Sequence, residues 1–184
     1  QATAGLLFMK SNTKKNSEDF WDYNPYFYTY LGYFDRFAKV KDINNLMTLI
    51  VKKNKTAFEK YICAGTINTD LNAYKDLKGT IAFRDNNLQL AYQTFAEIPE
   101  DFWKKNYEFK NFLNEDPFFP KILMSTKERK FDYAFNKAVF LKTLLELKAK
   151  NTAASNLKLG HAFFNVSCWG NSWMMLSYGW SGNS

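Results

Sequence analysis

Apolar residues recur along this chain at intervals of three and four, the spacing that gathers side chains on one face of an α-helix. Phe27, Tyr30, Leu31, Phe34, Phe37 and Ala38 form one such stripe, and Ile43, Leu46, Met47, Ile50 and Val51 form the next, with Asp42 placed as its N-cap. A third short helix is expected from about Thr56 to Ala64, where Gly65 suits the left-handed stop that ends many helices. Asp70 can cap a helix reaching about Arg84, with Leu71, Tyr74, Leu77 and Ile81 inward. Asn86-Asn87 then break the pattern before Leu88, Ala91, Tyr92, Phe95 and Ile98 resume it. Pro99 closes this αα-hairpin, because proline lacks an amide hydrogen and disfavours helix in the residue before it.

The periodicity weakens from Glu100 to Lys130. A short helix is expected around Asp101 to Asn106, and Pro117 and Pro120 bracket Phe118-Phe119 in a connector that carries an aromatic plug. The longest helix is predicted over Phe131 to Lys150, with Phe131, Phe135, Ala138, Leu141 and Leu145 inward and cations in its last turn. Asn151 and Thr152 turn the chain into a further helix, Ala153 to about Ser167. No useful run alternates with period two, so little or no sheet is expected. These elements predict an all-α fold of stacked antiparallel helix hairpins. Residues 1–19 form a flexible segment or one short helix, and 20–184 form a single helical domain with a connector at about 100–130.

Composition sharpens this picture in three ways. The chain of 184 residues carries 18 Phe and 11 Tyr, too many large apolar side chains for a disordered segment. No apolar run approaches the roughly 20 residues that cross a bilayer, so no transmembrane segment is expected. Lysine and arginine exceed the acids to give a formal +7, but the cations are scattered between apolar helix positions and read as a solvated surface. Nucleic-acid binding is therefore not expected, since no arginine-rich motif accompanies the charge. The chain begins at Gln1 without an apolar leader, so a signal peptide has been removed or never existed, and the periplasm or cell surface stands ahead of the cytoplasm.

The residues that usually carry chemistry are sparse. His161 is the single histidine, so triads and histidine-rich metal sites depend on one residue that sits in a packed helix. Cys63 and Cys168 are far apart and form no Cys-x-x-Cys pair. The acid pairs Glu18-Asp19, Glu100-Asp101 and Glu115-Asp116 lie at helix starts or prolines, where capping explains them. The eight glycines form no phosphate-cradling loop. No catalytic residue, metal or cofactor is expected, and Asn165-Val166-Ser167 reads as a chance match to the glycosylation triplet.

Two hairpins resemble tetratricopeptide units, in which a small residue in the first helix lets the second pack closely between large apolar neighbours. The last carries Leu159-Gly160 followed by Phe163, and the middle one carries Gly79, then Ala91 and Phe95 at the family's separations of twelve and sixteen. The run from Phe163 to Met174 is also similar to segments of large repeat proteins of Bacteroidetes-type bacteria. The resemblance implies an α-solenoid fragment with a protein- or peptide-binding role, and close helix crossings at Gly79 and Gly160.

Two aromatic features are left as candidate binding residues. Tyr23, Tyr26, Tyr28 and Tyr30 belong to a stretch denser in rings than one buried stripe requires, suited to a peptide or to sugar stacking. Trp169, Trp173 and Trp180 form an apolar tail where a solenoid usually ends in a polar face, and two readings stand equally: a surface for self-association, or core packed back onto the helix from Phe131 to Lys150. A protein or peptide partner leads, and a glycan at a bacterial surface is the alternative.

Overall fold

Eight α-helices occupy most of the described residues, 2–12, 30–106, 116–120, 136–170 and 172–178 of the computed structural model, and no strand occurs among them. They are α1 (Ala2–Asn12), α2 (Tyr30–Phe37), α3 (Val40–Val51), α4 (Ala57–Cys63), α5 (Leu71–Arg84), α6 (Leu88–Ala96), α7 (Lys137–Lys150) and α8 (Ala153–Val166). The protein is all-α, as the periodicity indicates. A π-helical turn at Phe102–Asn106 and a 3-10 turn at Trp173–Met175 complete it.

Polar side chains set the boundaries by supplying the hydrogen bonds that the first turn of a helix lacks. At α4, Thr56 Oγ1 accepts from the Glu59 amide at 3.2 Å, while the Thr56 amide donates to Glu59 Oε2 at 2.7 Å. Lys52 Nζ donates to Glu59 Oε1 at 2.7 Å. Together the ammonium and the amide hold the Glu59 carboxyl below its ordinary range. Asp70 accepts from the Asn72 amide at the start of α5, Asn87 from Leu90 in α6, and Thr152 from Ser155 in α8. Asn86 and Asn151 take left-handed backbone, with φ of 58° and 46°, as does Gly65 at 72°, so all three turn the chain where the pattern breaks.

Two boundaries differ from expectation. Asp42 is the third residue of α3, not its cap, and accepts from the Lys39 amide at 3.0 Å. Helix α7 starts at Lys137, where Asn136 caps the Val139 amide at 3.1 Å; Phe131 and Phe135 lie outside the described residues. Its buried stripe is Lys137, Phe140, Leu141 and Leu144, so the expected Leu141 is inward, whereas Ala138 and Leu145 are half-buried beside it.

The chain divides within α5 into two compact units, residues 1–81 and 82–184. In the first, α1 packs against α2, α3 and α4. Leu6 and Met9 of α1 are buried, as are Leu31 and Phe34 of α2, Ile43 and Leu46 of α3, and Ile62 of α4. The seam between α1 and α2 closes at Gly5. A Cβ there would stand 2.6 Å from Phe34 Cε1 and 2.7 Å from Tyr33 Cδ1, nearer than packed atoms approach.

In the second unit α7 packs against both α6 and α8. Phe140 stacks at 5.6 Å on Phe83 and at 5.3 Å on Phe118, so half of the expected aromatic plug is core, while Phe119 remains 54% exposed. Helix α8 turns Ser155, Ala162, Asn165 and Val166 inward. Gly160 consequently faces away from the core. It is exposed, with no atom within 4 Å of where its Cβ would lie, and the close crossing expected there is absent among the described residues. Gly79, by contrast, is buried, as are Ala91 and Phe95.

The two glycines should respond oppositely to substitution. Gly5→Leu forces a side chain into the rings of α2 and should cost about 1–3 kcal/mol in urea unfolding. Gly160→Ala meets open space and should stabilise by about 0.5–1 kcal/mol, since alanine restricts the unfolded chain more than glycine does. Equal losses at both positions would contradict the observed packing.

Candidate binding surface

The seam at Gly5 places aromatic rings on the surface of the first unit. With α2 drawn close, Phe8, one turn further along α1, meets Tyr33 at a centroid distance of 5.3 Å. Tyr33 in turn lies 5.2 Å from Phe37, one turn along α2, and stands edge-on to the buried Phe34 at 5.6 Å. These spacings are those at which ring pairs attract. Phe34 anchors the row in the core, whereas Phe8 is 39% and Phe37 54% exposed. Leu7, 41% exposed, adjoins Phe8 in sequence.

Cations border the rings. The Arg36 guanidinium lies 5.6 Å from the Phe37 centroid. On the α4 side of α1, Lys10 Nζ sits 4.9 Å from the Tyr61 centroid and donates to the Ala64 carbonyl at 2.6 Å. A cation over a ring face is attracted by the ring's negative centre, and here it also keeps the aromatic surface hydrated at its margins. Such a surface can receive apolar or aromatic side chains. Among the described residues no cluster of three or more His, Cys, Asp or Glu could hold a metal, and no helix is long and apolar enough to cross a membrane.

The residues singled out in the sequence fall differently. Tyr23, Tyr26 and Tyr28 lie outside the described residues; Tyr30 opens α2, with its side chain outside them. Trp180 also lies outside them, Trp169 is 65% exposed in the turn after α8, and Trp173 is half-buried. The tail is not an apolar patch throughout, because Met174, Met175 and Tyr178 are buried. Leu159 is half-buried and Phe163 exposed beside Gly160. Phe8, Lys10 and Tyr61 were not anticipated. The signal was present in the 2, 5, 6, 9 spacing of Ala2, Gly5, Leu6 and Met9, which describes a helix with a notch on its inward face.

What fastens the tail is polar as well as apolar. Asn165 Nδ2 donates to the carbonyls of Pro117 at 2.9 Å and Phe119 at 2.7 Å, and the Asn165 carbonyl accepts from the Ser172 amide at 2.8 Å. A Cβ at Gly170 would overlap the Asn165 backbone, so only glycine lets the chain fold back at this point. With its amide buried and engaged, Asn165 is not presented for glycosylation in the folded protein. Lys137, wholly buried, places its Nζ 4.6 Å from the Tyr178 centroid and 5.6 Å from that of Phe95. Its ammonium thus joins the returning segment to α6.

No family model, curated protein or solved structure matches this chain. The case for this candidate surface therefore rests on its own geometry.

Surface and core rings should separate in unfolding experiments. Phe37→Ser and Trp169→Ser should each change stability by no more than about 0.5 kcal/mol. Phe34→Ala should cost about 3–5 kcal/mol and Met174→Ala about 2–5 kcal/mol. A loss at Phe37 as large as that at Phe34 would make the aromatic row core.

Proposed function

We propose that this chain is a non-catalytic helical-repeat scaffold of tetratricopeptide-like kind, which binds a segment of another protein on the aromatic surface of α1 and α2. The observation that carries the reading is the row Phe8–Tyr33–Phe37, in contact ring to ring and open to solvent at both ends. Exposed rings cost solubility, and an apolar row rimmed by charge is the usual form of an interaction site. Two of its three members are phenylalanines, which lack the hydroxyl that a sugar platform uses at its rim. This favours an apolar or aromatic peptide side chain over a glycan.

The partner is one that offers aromatic or leucine anchors to this row. Large anchors buried in the middle of an interface carry most of its energy. Peptides selected from a random display library on the whole protein should be enriched in that pattern. Their affinity should fall about tenfold or more for Phe8→Ser and Phe37→Ser, with the fold retained. Binding to a glycan array that is lost with the same variants would replace the peptide reading by the carbohydrate one. Steep loss of peptide binding with salt, indifferent to the rings, would overturn the role given to the aromatic row.

A further inference from the structure

Between Asp42 and Glu59 the chain holds no acid, and from Lys52 to Lys60 four lysines stand against that one glutamate. The glutamate is already committed. Glu59 Oε2 accepts from the Thr56 amide and Oε1 from Lys52 Nζ, both at 2.7 Å. Lys53, Lys55 and Lys60 make no ion pair among the described residues. Lys55 Nζ donates to the carbonyls of Ile50 at 2.8 Å and Lys52 at 2.7 Å, which closes the C-terminal end of α3. Carbonyls share its protons without cancelling its charge, so the link from α3 to α4 keeps a positive surplus.

Helix α4 turns Ile62 and Cys63 into the core. At about 100° per residue, the arc away from them carries Lys60, Ala57, Tyr61 and Phe58 in that order, and all four are exposed. Phe58 and Tyr61, three positions apart, are neighbours on this arc, 53% and 58% exposed. A surface helix ordinarily turns its rings inward and its polar residues outward. This one presents two rings to solvent with a lysine beside them. Lys10 Nζ, 4.9 Å from the Tyr61 centroid, stands over one face of that ring.

We propose that the ridge of α4 docks on an anionic lipid surface, with Phe58 and Tyr61 entering the headgroup layer and Lys53, Lys55 and Lys60 set against the lipid charges. Rings gain from the membrane interface and lysines from its negative potential, so the two together fit a partner that is apolar beneath and anionic above. Other polyanions fit this geometry less well. A single-stranded nucleic acid stacks its bases on open ring faces, and one face of Tyr61 is taken by Lys10. An acidic peptide is ordinarily held in a groove or along a sheet edge, whereas these rings stand on the outward arc of a helix. A bilayer requires neither an open face nor a groove, because it yields around a ridge and takes a ring edge first. The attachment is reversible: two rings anchor weakly, and each lysine near an anionic surface adds about fivefold. This contact is separate from the peptide surface of α1 and α2 and does not rest on it.

Flotation of the whole chain with vesicles of equimolar phosphatidylcholine and phosphatidylserine, against vesicles of phosphatidylcholine alone, tests this. The wild type should float with the anionic vesicles only, and high salt should release it. Phe58→Ser should weaken partitioning about fivefold or more, and Lys53→Gln combined with Lys60→Gln about twentyfold, with the urea unfolding midpoint retained. Phe8→Ser and Phe37→Ser should float as the wild type does. The proposal is overturned if the wild type floats with neither vesicle or equally with both, if the changes at Phe58 and at the two lysines leave flotation as it was, or if flotation is lost only with changes at Phe8 or Phe37. Binding of an oligothymidylate that depends on Phe58, without flotation, would also overturn it and put nucleic acid in the place of lipid. Should Phe58→Ser fail to fold, the two lysines, which take no part in the described packing, decide the question by the same criteria.

Discussion

The absent side chain at Gly5 governs the first unit of this protein. Because no Cβ stands there, the rings of Phe34 and Tyr33 come up against the α1 backbone, and two helices that share one short seam lie closer than any larger residue would allow. The same approach has an inward and an outward consequence. Inward, Phe34 is carried fully into the core with Leu6 and Met9. Outward, Tyr33 is left bridging Phe8 and Phe37, so a ring row exists at the surface only because the helices beneath it touch. Aromatic surface and stability are therefore linked at one residue, and the exposed rings are held in place by a core that they do not themselves form.

The second unit solves a different problem, that of returning an irregular tail to a helix. Asn165 supplies three of the necessary hydrogen bonds from a single position, two through its amide nitrogen and one through its carbonyl. Gly170 provides the room for the chain to double back. Lys137 is the less expected part. Burying an ammonium is costly unless it finds compensation, and ring faces supply some of it on either side in Tyr178 and Phe95. The result is a tail whose methionines are core and whose first tryptophan is surface.

Much of this was legible in the amino acids, and the limits are instructive. Helix existence followed from apolar spacing, and the turns at Gly65, Asn86 and Asn151 followed from residues that tolerate left-handed backbone. These are local properties, each decided within a few positions. The two glycine seams were not local. Gly160 reads as a packing notch from its neighbours in sequence, but whether anything fills a notch depends on which face the helix turns to α7. Gly5 was passed over because the rings that fill it come from 28 and 29 positions away. Lys137 is not legible locally for a related reason: a lysine indicates a solvated position, yet here it is buried with Phe140, Leu141 and Leu144, so Leu141 of the expected α7 stripe is core while Ala138 and Leu145 are half-buried. The candidate site was accordingly half legible. Its aromatic density was visible, with Tyr33 and Phe34 within the dense stretch, whereas Phe8 required knowledge of the seam.

The seam at Gly5 builds a contiguous aromatic surface, which we propose takes a protein ligand. Nuclear magnetic resonance of protein labelled in its Phe and Tyr rings observes that surface directly, free and then titrated with a display-selected peptide. Ring-to-ring cross-relaxation from Phe8 to Tyr33 and from Tyr33 to Phe37 is expected in the free protein, with shift changes concentrated on those three rings as peptide is added. Cross-relaxation absent between Phe8 and Tyr33, or shift changes concentrated on rings of the second unit such as Phe95 and Tyr178, would contradict it.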